Sequence, residues 1–140
     1  MKKEWAPELL SLLRIVHAYL YFQVGSAKLF AFPAAIMPGG TTAPVGSLPW
    51  IAGVIEVVGG TLYLLGLFTR PVAFILSGEM AAAYFIGHAS QGHWAWPVLN
   101  MGQTAVIYCF VFLYMSAAGA GPWSLDALLA RRRPAVVPVS

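Results

Sequence analysis

Charge is scarce in this chain. Its 140 residues hold 8 Lys or Arg and 5 Asp or Glu, 9% in all, against 59% hydrophobic. A soluble domain usually carries about 25% charged residues. A chain this poor in charge cannot cover a water-facing surface, which excludes an ordinary soluble protein and leaves a polytopic membrane protein. The net charge of +3 is no sign of nucleic-acid binding, because the basic residues stand at the ends of apolar runs, where membrane topology accounts for them. Cysteine is nearly absent. Cys109 stands alone, so there is no intrachain disulfide and no Cys-x-x-Cys pair, which argues against dithiol–disulfide chemistry. It lies in an apolar run and reads as a small packing side chain. There is no phosphate-cradling P-loop, no dinucleotide glycine fingerprint after a strand, and no nucleophile elbow. His88 and His93, five apart, share no helical face and have no acid or cysteine beside them, so no metal site is expected. No paired histidines lie at matched depth for haem.

Long apolar runs are what the chain does have. A helix rises about 1.5 Å per residue, so about 20 residues cross a hydrocarbon core of about 30 Å. Four spans are expected, at about residues 9–30, 50–68, 71–87 and 98–118. The fold class is all-α: a polytopic membrane protein built as a four-helix transmembrane bundle. Residues 1–126 form its single domain, and residues 127–140 a basic tail. The N-terminus, MKKEW, is basic and then apolar from Leu9. Arg14 and His17 interrupt that apolar segment and no small-x-small cleavage site follows, so the first span reads as uncleaved. Residues 31–49 hold four prolines and a Gly39-Gly40 pair. They read as a loop, with one short helical turn near Ala34 to Met37. Trp94 and Trp96 mark a membrane boundary. Ser124 is placed to cap a short helix from Leu125.

Basic residues set the expected orientation. Lys2, Lys3, Arg70, Arg131, Arg132 and Arg133 fall on one side of a four-span chain and only Lys28 near the other. The positive-inside rule then places both termini in the cytoplasm and the chain in the inner membrane.

Ionisable groups inside the spans are the candidate site, because charge at membrane depth is costly without a partner or a function. Arg14, His17, Tyr21 and Lys28 lie on one face of the first span, with Gly25 on the same stripe. Glu56 sits inside the second span, near Gly59, Gly60 and Tyr63. Glu79 sits inside the third, where Ala73, Ser77 and Ala81 form a separate small-residue face. Counting residues from the span ends predicts two polar layers: Arg14, His17 and Glu79 in one, Lys28, Glu56 and Gln103 in the other. Pairing acid with base reduces the burial cost.

These residues sit among segments that resemble the DoxX family of small four-helix membrane proteins. The matching pieces are Leu13-Arg14, Gly25-Ser26-Ala27-Lys28-Leu29, Glu56-Val57-Val58-Gly59-Gly60, Leu65-Gly66-Leu67-Phe68-Thr69-Arg70 and Gly121-Pro122-Trp123-Ser124-Leu125-Asp126. They cover about residues 9–126. The resemblance implies a membrane subunit of a redox system, since the family takes its name from subunits of quinone-linked complexes. On that expectation Glu56 shuttles a proton and Lys28 or His17 hydrogen-bonds a quinone. Electrons would come through a soluble oxidoreductase partner, because the chain has no carrier of its own. A small oligomeric transporter or permeation unit, or a membrane scaffold without catalysis, are the alternatives. The partners expected are the lipid bilayer and that oxidoreductase or further copies of the chain, with no nucleic acid.

Overall fold

A computed structural model of the protein describes residues 4–132, all helix, turn and loop. Lys2, Lys3, Arg133 and the rest of the tail lie outside the described residues. Five α-helices follow in order: α1 (Ala6–Phe30), α2 (Leu48–Leu65), α3 (Thr69–Ala83), α4 (Gln103–Ala118) and α5 (Leu125–Arg131).

Local chemistry sets the helix ends. Pro7 enters α1 in its first turn, where a backbone N–H has no partner to lose, and Lys28 in the last turn suits the negative end of the helix dipole. The Ser47 side chain accepts the Trp50 N–H at 3.3 Å and opens α2. Gly66, at φ 66°, closes it in a left-handed turn. Ser124 opens α5 by accepting from the Ala127 N–H at 3.1 Å, as its position predicts. The helical turn expected near Ala34 to Met37 forms instead at Pro38–Gly40, where proline fixes φ and Gly39 takes a positive φ. Ala43 donates its N–H to the Lys28 carbonyl at 2.8 Å and ties this loop to the end of α1.

Helices α1 and α2 pack as one close pair, α3 and α4 as another. The two pairs meet over a core of Ala18, Tyr21, Tyr63, Ala73, Leu76, Met80, Tyr108, Phe112 and Met115. The α1–α2 contact depends on Gly25. A Cβ there would stand 2.7 Å from the Glu56 Cβ and 3.0 Å from the Gly53 carbonyl oxygen, so only glycine lets the helices come this close.

The surface is apolar. Leu9, Leu12, Val16 and Leu20 of α1, Ile51 and Val58 of α2, Phe74 and Ile75 of α3, and Ile107 and Phe110 of α4 are all exposed. Arg14 and Glu56 are among the largest fully buried side chains. Apolar residues on the outside of every main helix, with charges inside, describe a protein solvated by lipid.

Two helical stretches among the described residues are long and apolar enough to cross a membrane: Leu48–Leu65, and Thr69–Gln91, in which α3 continues through a π-helical turn. The third expected span is therefore longer than residues 71–87. The fourth is shorter than 98–118, because residues 98–101 form turns and α4 begins only at Gln103. Asn100 accounts for the late start: its side-chain oxygen takes the Gly102 N–H at 2.9 Å, a local bond that competes with helix. Trp94 and Trp96 are exposed on the loop before it.

Candidate functional site

Lys28 and Glu56 meet as the sequence predicts. The Lys28 Nζ stands 2.6 Å from the Glu56 Oε1. Glu56 is the ninth residue of α2 and fully buried, while the Lys28 side chain stays 18% exposed at the end of α1. The second carboxylate oxygen of Glu56 is buried with no hydrogen-bond partner.

Glu79 does not join Arg14. It accepts a hydrogen bond from the Tyr21 hydroxyl at 2.8 Å, and it is near enough to Glu56 and Lys28 to interact with both charges. Tyr21 lies seven residues, about two turns, beyond Arg14 on α1. Counting residues from the span ends therefore set the register of α1 against α3 wrongly by about two turns. The two polar layers become one cluster: Lys28 and Tyr21 from α1, Glu56 from α2 and Glu79 from α3. Gln103 is exposed in the first turn of α4 and takes no part in it. The late start of α4 leaves that side chain at the helix end rather than inside the bundle.

Arg14 serves a different purpose. Its Nε donates to the Ala120 carbonyl at 2.9 Å, its Nη1 to the carbonyls of Tyr63 (2.8 Å) and Leu64, and its Nη2 to that of Trp123 at 2.6 Å. Four of its five N–H donors are thus held by backbone oxygens at the end of α2 and in the segment after α4. Close by, the Asp126 carboxylate accepts the N–H groups of Phe68 at 2.8 Å and Thr69 at 2.9 Å, capping α3. The Asp126 N–H donates to the Gly66 carbonyl at 2.9 Å. Arg70 reaches the Ala117 carbonyl at the end of α4. Segments 63–70 and 117–126, far apart in sequence, form one clasp around Arg14.

His17 lies between the clasp and the acidic cluster. It is buried, and neither ring nitrogen has a hydrogen-bond partner. Rings surround it: Phe112 at 4.4 Å, Tyr108 at 4.5 Å and Tyr63 at 5.8 Å between centroids. Tyr21 extends the array, 4.8 Å from Phe112. The Tyr63 hydroxyl is likewise buried and unpartnered. The sequence reading named Tyr21 and Tyr63 only as members of a face and missed Tyr108 and Phe112. Their i, i+4 spacing on α4 was the available signal.

Among the described residues, cavities open at the surface in at least two places. One, of about 440 Å³, lies at the clasp beside Thr69, Arg70 and Asp126. A second, of about 290 Å³, is an apolar groove between α2 and α3, lined by residues such as Val54, Val58, Leu62 and Ile75.

Comparison with known proteins follows the same lines. The profile of the DoxX family matches residues 9–89. An uncharacterised protein of Haemophilus influenzae is 46% identical over 125 residues, covering 89% of this chain and 92% of that protein. An uncharacterised membrane protein of Mycobacterium tuberculosis is 35% identical over 95 residues, covering 59% of this chain and 56% of that protein. This chain thus spans little more than half of that second relative. No solved structure matches.

Proposed function

The chain belongs to the DoxX family of membrane proteins, and from that premise we propose that it is a four-span membrane subunit of a quinone-linked redox system. The observation that carries this reading is the set of buried hydrogen-bonding groups without partners: both nitrogens of His17 and the hydroxyl of Tyr63, walled by aromatic rings. An unpartnered polar group costs about 1–3 kcal/mol when buried. Groups of this kind, inside a bundle, fit the carbonyl oxygens and flat ring of a quinone head group. The apolar groove between α2 and α3 is suited to an isoprenoid tail. A quinone, when bound, supplies two-electron, two-proton redox chemistry. The chain's own residues would donate hydrogen bonds from His17 and Tyr63, exclude water with Tyr108 and Phe112, and hold protons at the Lys28–Glu56 and Tyr21–Glu79 pairs. Arg14 shapes the site from below by holding the end of α2. Electrons enter from a soluble oxidoreductase partner.

The proposed topology has α1 to α4 as spans of one bundle. At about 24 Å, α4 reaches across with help from the turns before it. Arg70, Arg131 and Arg132 share the end of the molecule that holds the clasp, and the connections over residues 31–47 and 89–102 contain no Lys or Arg. The positive-inside rule puts the clasp and both termini in the cytoplasm, with the chain in the inner membrane.

The test is mass spectrometry of the protein extracted gently from native membranes, with Glu56→Gln and His17→Leu proteins prepared identically. A quinone on the wild type, lost from His17→Leu, is the expected result. The same lipids on all three proteins, with no quinone and no companion subunit, would end the redox reading and leave a scaffold.

A further inference from the structure

The buried cluster is short of positive charge. It holds two carboxyl groups, Glu56 and Glu79, against a single ammonium, Lys28, which is paired with Glu56, while Glu79 has only the Tyr21 hydroxyl. With every group ionised it would carry one uncompensated negative charge in the middle of a protein whose surroundings are apolar. The groups that face it are known from each element packed there. Helix α1 supplies Tyr21 and Lys28, α2 supplies Glu56, and α4 supplies the Tyr108 ring, 5.6 Å from that of Tyr21. The remaining interior charge, Arg14, is committed to carbonyls at the clasp.

We propose that this cluster is a binding site for one exchangeable proton, and that Glu79, on α3, is its resident seat.

Three features separate Glu79 from Glu56. Glu56 has a cation 2.6 Å from its Oε1, so its charge is compensated. The hydrogen-bond partner of Glu79 is a neutral phenol, which orients a carboxyl group without supplying charge. Glu79 is also the eleventh residue of α3, about 15 Å along the axis from its start, and only half-buried, so part of it faces the apolar surroundings where an ionised form is costly. The free Oε2 of Glu56, fully buried and unpartnered, is the independent sign that the site takes a ligand: it is an acceptor with no donor to satisfy it. A sodium ion fits worse than a proton, because the Lys28 ammonium would repel it.

This inference rests on reading the cluster as a working site, but its test is separate from that of quinone binding. The full chain in lipid nanodiscs is titrated and followed by infrared spectroscopy in the region of the protonated carboxyl stretch. The expected result is one buried protonated carboxyl at neutral pH. Glu79→Gln removes the band, and Tyr21→Phe moves its frequency, which marks the loaded acid as the one bonded to Tyr21. Glu56→Gln also removes it, because Lys28 is then free to balance an ionised Glu79. Lys28→Met raises the count from one to two, since charge balance then requires a second proton. Glu79→Asp restores a band and guards against a misfolded Gln variant. No protonated carboxyl in the wild type, a band that survives Glu79→Gln or is unmoved by Tyr21→Phe, an unchanged Lys28→Met spectrum, or a band erased by sodium at constant pH would each overturn the proposal. A band in protein whose native extract carries no quinone and no companion subunit would leave this inference standing while the redox reading falls, and bound quinone without a band would do the opposite.

Discussion

Arg14 and Glu56 are both fully buried charges, satisfied in opposite ways. Arg14 is surrounded by backbone carbonyls from two other segments, whereas Glu56 has one ionic partner and one empty oxygen. Hydrogen bonds to a charged group are each worth about 1.5–3 kcal/mol. Arg14→Met should therefore lower stability by at least about 3 kcal/mol, read as a drop in the detergent melting temperature. Arg14→Lys should recover only part of it, because an ammonium cannot reproduce the planar fork. The Lys28–Glu56 pair was legible in the sequence, since charges inside apolar runs are few and the apolar context limits their partners. Arg14's partners were not legible. A backbone carbonyl exists at every position, so nothing in residue type marks the ones it binds. Tyr21–Glu79 was hidden for a third reason: helix register depends on loops whose geometry the sequence does not state.

Elements are held together here by contacts between segments distant in the chain. Asp126 caps α3 across 57 residues, holding two N–H groups that would otherwise lack partners at the helix start. Loss of a cap costs about 0.5–2 kcal/mol. Asp126→Ala should thus fray the first turn of α3 and release α5, seen as faster amide exchange at Thr69 to Val72 with little change in α1. At the α1–α2 seam, Gly25→Val should cost more, about 1–3 kcal/mol, by overpacking against Glu56 and the Gly53 carbonyl. It should also separate Lys28 from Glu56, so a double variant with Glu56→Ala would lose less than the sum of the two single effects. The capping role of Ser124 could be read locally, whereas that of Asp126 could not, because its acceptor geometry arises only after the chain has folded back on itself.

For the whole molecule, the arrangement of basic residues predicts a labelling pattern. In a Cys109→Ala background, Thr42→Cys and Gln91→Cys should react with a membrane-impermeant thiol reagent added to intact cells. Arg131→Cys should react only after the membrane is opened. The opposite pattern would invert the proposed topology, and reaction of all three in intact cells would remove it. That the chain is helical and lipid-solvated could be read from composition, because lipid solvation requires apolar residues around each helix rather than on one stripe. The lengths of its third and fourth helices could not, since a π-turn and an Asn100 side-chain bond shift their ends.

The clasp also constrains how the protein is made. In the proposed topology Arg14 enters the membrane in the first helix, yet the carbonyls of Ala120 and Trp123 that complete its hydrogen bonds are 106 and 109 residues further along. Until the ribosome has released them, the arginine has only the Tyr63 and Leu64 carbonyls to bind and must wait half-satisfied at the insertion machinery, where an arginine without partners at a helix centre costs about 2.5–3.5 kcal/mol. The first helix to be synthesised should therefore be the last to settle into lipid. A nascent chain truncated before Ala120 should stay bound to the translocon and be cleared by proteolysis, while one extended past Asp126 should be released to the bilayer.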